Sequence, residues 1–322
     1  YLCRQLRAKT LDHLPPISPD TQIGVRSYHH NATDLLGLGH ERQNEQTYDG
    51  LRAHWNPLEK LKLDASYVYN VNRIFGPDDG VNPADWEGDN FLVRADYQIT
   101  ENHKVAAFGY FLDIDDDCCF DGDGGEFNPG KTVNNSTDTY GVEYNGKISF
   151  LSVAAAYATQ SEAGDSDLNY DADYYMLELG GKLIGLDLKV GYEVLASDNG
   201  VGFATPLATL HKFQGWADIF LGTPGDGIED LYGGIAASLG SIKLQAIYHD
   251  FQAEDSSEDF GKELDLSATW VFSKKFSLQA KFAGFDSDSN RYAAVSYTHL
   301  RAHETERLIS YAVFCLKTGG GG

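Results

Sequence analysis

The chain is poor in what a helical membrane protein, a nucleic-acid binder or a disulfide scaffold needs. No apolar run reaches the roughly 18 residues of a spanning helix, which argues against a helical bundle in lipid. Lysine and arginine together number 25 against 48 acidic residues, a formal net charge of -23. Phosphate contacts need a basic footprint, so no nucleic-acid partner is expected. Only 4 cysteines occur. Cys3 and Cys315 lie near the ends, and the neighbours Cys118 and Cys119 bridge each other only with strain, which leaves them incidental or a weak surface disulfide. Zinc-type spacing, a nucleophile elbow and a phosphate loop are all missing, so neither a cofactor nor an enzyme is expected.

What the chain does have is aromatic residues, glycine and a strict two-residue period. Tyr175, Leu177 and Leu179 alternate with Met176, Glu178, Gly180 and Lys182. After a tight turn, Leu186, Leu188, Val190, Tyr192 and Val194 alternate with Asp187, Lys189, Gly191 and Glu193. A strand sends successive side chains to opposite faces, so each of these strands has one apolar face and one carrying both signs of charge. The same rhythm runs from Leu51 to Phe285 and marks about 12 strands paired as hairpins.

The connections alternate in length. NPLE, TENH, LIG, LGS and SKK are short, whereas 72–89, 115–136, 161–173 and 197–229 are long and acidic. Spanning barrels of the outer membrane sort short turns to one side and long loops to the other, and each strand needs only about ten alternating residues. Trp55, Tyr67, Tyr97, Tyr140, Tyr192 and Trp270 lie on the apolar face near strand ends, where an interfacial girdle sits. The expected fold is all-β: an antiparallel, porin-like transmembrane β-barrel, incomplete in this chain. The alternative is a soluble two-layer sheet that buries those aromatics in a dry core.

Two blocks, GYEVLASDNGVGFATPLATLHKFQGWADIFLGTPGDGIEDLYGG at 191–234 and KLQAIYHDFQAEDSSEDFGKELDLSA at 243–268, together with ERQNEQTYDGLRA at 41–53 and YNVNRIFG at 69–76, resemble the alginate-export-like family of bacterial outer-membrane porins. The likeness runs from about Glu41 to about Asp288. It implies a wide antiparallel barrel with a water-filled pore in the bacterial outer membrane, passing hydrophilic solutes by passive diffusion or export, among them anionic sugars or uronate polymers. The implied partners are the lipid bilayer, lipopolysaccharide, the outer-membrane assembly machinery and the solute. Residues 1–40 are expected to be non-native or disordered, 41–294 to form the partial barrel, and 295–322 to be a non-native tail resembling translated adapter read-through.

With the polar face as lumen, the expected pore-lining residues are Arg52, Lys62, Asp64, Arg94, Asp96, Glu143, Glu178, Lys182, Asp187, Lys189, Glu193, Lys243, Asp265 and Lys281. Opposite charges on such a face pair across strands, and Lys189 is expected to meet Asp187 or Glu193. Segment 197–229 is too long for a plain connection, and Leu210, Phe213, Trp216, Ala217 and Phe220 stand at helical spacing. A short helix folding into the mouth would place His211, Lys212, Gln214, Trp216 and Asp218 at a constriction; a loop packing only on other loops is the alternative. Asp115, Asp117, Asp121, Asp123 and Glu126 form a candidate Ca²⁺ group against a plain solvated acidic loop, since Cys118 stands where a calcium loop starting at Asp113 needs glycine. Two other readings are a barrel-rim hydrolase, for which His54 and His249 are the available histidines, and a non-conducting structural or adhesive barrel.

Overall fold

The computed structural model describes residues 21–27, 46–73, 84–115, 117–118, 133–207, 213–273, 276–304 and 313–317. In chain order the strands are β1 (Thr21–Ser27), β2 (Thr47–Leu58), β3 (Leu61–Asn72), β4 (Asp85–Thr100), β5 (His103–Leu112), β6 (Asp117–Cys118), β7 (Val133–Asn134), β8 (Thr137–Ile148), β9 (Leu151–Glu162) and β10 (Asp171–Leu183). They continue as β11 (Leu186–Leu195), β12 (Ser197–Asp198), β13 (Val201–Gly202), β14 (Ile228–Leu239), β15 (Ile242–Gln252), β16 (Asp259–Val271), β17 (Phe276–Ser287), β18 (Val295–Glu304) and β19 (Val313–Lys317). The described residues contain no helix. One sheet takes up 15 strands in unbroken chain order, and β6–β7 and β12–β13 are small separate pairs inside long connections.

The order follows from the turns. Leu183 faces Leu186 across Ile184 and Gly185, both at positive φ (53° and 80°), the two-residue turn whose twist suits a hairpin. The β2–β3 hairpin closes as tightly, with Leu58 opposite Leu61. At the other strand ends the chain makes its long excursions. The twelve strands read from the period are all present. Thr21–Ser27, Val295–Glu304 and Val313–Lys317 add three more in segments expected to lie outside the barrel.

The chain divides into two compact units, one of residues 1–145, 156–173 and 204–209, the other of 146–155, 174–203 and 210–322. In both, the apolar rows are the exposed ones. In the first unit Leu51, Trp55, Tyr69, Phe91, Val93, Tyr97 and Tyr140 lie open; in the second Leu177, Val190, Leu231, Ile235, Tyr248, Leu264, Leu266 and Trp270 do. Neighbouring rings meet across strands, as in Tyr67 with Phe91 and Tyr175 with Tyr192. The opposite face holds the ionisable side chains and is the more buried one. A soluble sheet protein does the reverse, because water-soluble monomers seldom leave apolar patches beyond roughly a few hundred Å² uncovered. A dry core of these aromatics is thereby excluded.

Candidate functional site

In the first unit the polar face carries a ladder of alternating charge. Arg52 of β2 forms a close ion pair with Asp64 of β3 (2.6 Å). On β4, Arg94 bonds Asp96 (3.2 Å) and reaches Glu143 of β8 (2.6 Å), and Lys104 of β5 closes on the other oxygen of Asp96 (2.8 Å). Arg52–Asp64 and Lys104–Asp96 pair across adjacent strands, while Arg94 joins Asp96 on its own strand to Glu143 two strands away, contacts that stabilise neighbours on one face of a sheet. Residues 204–207 lie on the same face: Gln160 of β9 bonds both the carbonyl (2.9 Å) and the amide (2.7 Å) of Ala204, while Gln46 and Tyr48 donate to the Leu207 carbonyl.

The second unit is built differently. Lys182 pairs loosely with Asp187, directly opposite it beside the tight turn (3.6 Å). Lys189 does not meet Asp187 or Glu193 as expected. It reaches Glu178 of β10 (3.4 Å), which also accepts from the Tyr232 hydroxyl of β14 (2.9 Å). Glu178 is the diagonal neighbour of Lys189 on the adjacent strand, a separation that a lysine side chain spans. Lys62 of the first unit and Lys243 of the second are each exposed.

Further along, Glu193 of β11, Asp230 of β14, His249 of β15, Glu263 and Asp265 of β16 and Lys281 of β17 are all buried. Register explains the row: Glu193 stands opposite Asp230, and His249 opposite Glu263. Tyr174 donates to Glu193 (2.7 Å), and His249 Nδ1 lies 2.8 Å from Asp230. Segment 213–220 covers this row. Gln214 donates to Glu193 (2.9 Å), the Ala217 amide to Glu263 (2.8 Å), the Trp216 amide to the same Glu263 oxygen, and Lys281 lies 4.5 Å from the Trp216 ring centre.

The long connection thus packs against the charged face of the sheet, but its described part forms no helix. Gln214, Gly215 and Asp218 all have positive φ (49°, 84° and 58°), which breaks any helical run. Gly215 is required by space as well, since a Cβ there would fall 2.5 Å from a Glu263 carboxylate oxygen. The apolar spacing that suggested a helix serves a different contact: Phe220 packs among Phe251, Phe260, Phe285 and Tyr292. Outside the strands, Arg291 bridges Asp226 (2.9 Å) and Glu258 (3.0 Å), tying three connections together. A hydrogen bond from Ser289, and then Arg291, hold the Glu258 carboxyl below its ordinary range despite some desolvation.

Of the residues expected at a constriction, Gln214 and Trp216 contact Glu193, Glu263 and Lys281, and Asp218 is half-buried in the same segment. His211 and Lys212 lie outside the described residues, as do Asp121, Asp123 and Glu126. Asp115 is exposed, Asp117 contributes a backbone pairing with Asn134, and no metal-holding group of three ligands occurs among the described residues. The sequence reading missed Asp230 and Glu263 as site residues and placed His249 only as a hydrolase candidate. The signal was available, since Asp230, His249 and Glu263 alternate with the apolar Leu231, Tyr248 and Leu264. His249 does sit beside the Asp230 carboxylate, and its Nε2 has no hydrogen-bond partner among the described residues.

No protein-family model and no curated protein matches the chain. Solved structures do. OccK9 (OpdG) of Pseudomonas aeruginosa superposes with a TM-score of 0.64 at 15% identity, over 93% of this chain and 74% of that one. OccK10 (OpdN) of the same organism gives 0.64 at 13%, over 92% and 81%. OccAB4 of Acinetobacter baumannii gives 0.62 at 12%, over 93% and 72%. These are outer-membrane porins of the Occ/Opd group, and they do not show an alginate-export-specific family for this chain. The fold of this chain is accordingly that of a porin-like, antiparallel β-barrel.

Proposed function

We propose that the protein is an outer-membrane channel through which small hydrophilic solutes diffuse, with Phe213–Phe220 as its constriction. The observation that carries the reading is the inverted sheet. Large apolar side chains stand exposed on one face while charged residues and an inserted loop share the other, an arrangement that needs lipid on the first side and water on the second. The bilayer, outer-leaflet lipopolysaccharide and the barrel-assembly machinery are the partners such a molecule requires. Anionic sugars or uronate polymers are the solutes suggested by the resemblance of Gly191–Gly234 to the alginate-export-like family. Against a strong preference for polyanions stands the wall itself, where Arg52, Arg94 and Lys104 are matched by Asp64, Asp96 and Glu143.

The test is reconstitution in a planar bilayer. Stepwise single-channel currents are expected, and deletion of His211–Leu221 should raise the unit conductance. Unchanged conductance after the deletion removes the constriction. Insertion without any current overturns the channel in favour of a plugged structural barrel.

A further inference from the structure

Four carboxylates of the second unit share one buried face: Glu193, Asp230, Glu263 and Asp265, the last two with 0% of their surface exposed. The groups that face them can be named strand by strand. Tyr174 of β10 and Gln214 of the inserted segment donate to Glu193. His249 of β15 lies between Asp230 and Asp265, with its Nε2 3.7 Å from the latter. Lys189 of β11 and Asp250 of β15 act on Asp230, and Lys281 of β17 acts on Asp265. On Glu263, Oε1 takes both loop amides. Its Oε2, both oxygens of Asp265 and His249 Nε2 have no hydrogen-bond partner among the described residues.

Glu263 and Asp265 are two residues apart on one strand, so their side chains share a face, and both are fully buried there with three of their four carboxyl oxygens lacking a donor among the described residues. Neighbouring carboxylates that have lost their water do not both stay ionised, because each raises the cost of the other's charge. We propose that Glu263 and Asp265 hold a single proton between them and that this proton latches the inserted segment onto the wall. With the proton in place, Asp265 is a neutral partner to Glu263, and one negative charge remains to accept the Trp216 and Ala217 amides. When the proton leaves to the bulk buffer, a second charge appears where no protein donor meets it. Water must then enter to solvate the pair, and segment 214–217 is displaced. This inference rests on the reading of that segment as the constriction, but its test does not need current to flow.

Trp216 is the reporter, since it lies against Lys281 and Glu263. Its contribution is isolated as the difference in emission and acrylamide quenching between the folded full chain in detergent and its Trp216→Phe variant, followed from about pH 5 to about pH 10, a range that spans shifted carboxyl groups. The expected result is loss of quencher protection at Trp216 as the pH rises, absent in Asp265→Asn, whose amide donates to Glu263 without carrying charge. Glu263→Gln keeps an oxygen for the loop and a donor for Asp265. It should be equally insensitive to pH, and it carries the test if Asp265→Asn does not fold. In bilayers the unit conductance should rise over the same interval in the wild type and stay flat in both variants. A Trp216 signal that ignores pH in the wild type, or an unchanged transition in the variants, overturns the latch. A chain that shows the transition yet passes no current sinks the channel and leaves the latch standing.

Discussion

The polar faces of the two units carry ionisable groups in comparable density and satisfy them in opposite ways. In the first, Arg52, Arg94 and Lys104 are interspersed with Asp64, Asp96 and Glu143, so each charge finds an opposite one within 3.2 Å and the wall stays partly open to water. In the second, Glu193, Asp230, Glu263 and Asp265 outnumber the bases beside them and are buried; an inserted loop donates to Glu193 and Glu263, Tyr174 also donates to Glu193, and His249 meets Asp230. A wall of mixed sign needs no cover, whereas a wall of one sign is completed by the loop that covers it. The loop and the acidic row are therefore one structural unit: removing either leaves the other with buried polar groups unmet, each costing about 1–3 kcal/mol.

The comparison can be broken or sharpened by substitution. The largest effect is expected from Phe220→Ala, which empties the centre of the cluster with Phe251, Phe260, Phe285 and Tyr292. A loss of about 3–5 kcal/mol in urea unfolding from detergent is expected, with Trp216 becoming quenchable. A small loss would mean the loop is held by its polar contacts alone. Next comes Arg94→Ala, which strands Glu143 and leaves Asp96 with Lys104 in the first unit; it should cost about 1–3 kcal/mol while leaving Trp216 protected. If Trp216 responded, the two walls would not be separate devices. Smallest is Lys182→Ala at an exposed pair beside the turn. Its unfolding free energy should stay within about 0.5 kcal/mol of wild type.

Much of the fold was legible because a strand's period is short and local. Leu186 to Val194 and Leu264 to Trp270 announce their faces in the chain itself, and the alternation of short and long connections told which strand ends belong together. The candidate site was legible only in part. Arg52, Arg94, Asp96 and Glu143 lie mid-strand with the right parity, and they meet as that parity implied. Lys189 went to Glu178 because the decisive neighbour is across the sheet, and its identity depends on register. The helix read into 210–220 failed because apolar spacing is shared by helices and by irregular loops with an aromatic anchor. Only backbone geometry at Gln214, Gly215 and Asp218 separates the two.

The amino-acid order by itself determined that this chain forms hairpins with one apolar and one charged face, since side-chain direction in a strand depends on nothing beyond its neighbours. Which charges meet, and that a loop supplies donors to two of the four buried acids, Glu193 and Glu263, was decided only in three dimensions. Those contacts join residues as far apart as Gln214 with Glu193 and Ala217 with Glu263, and strand register together with the path of the loop, neither of them local, brings such atoms within reach.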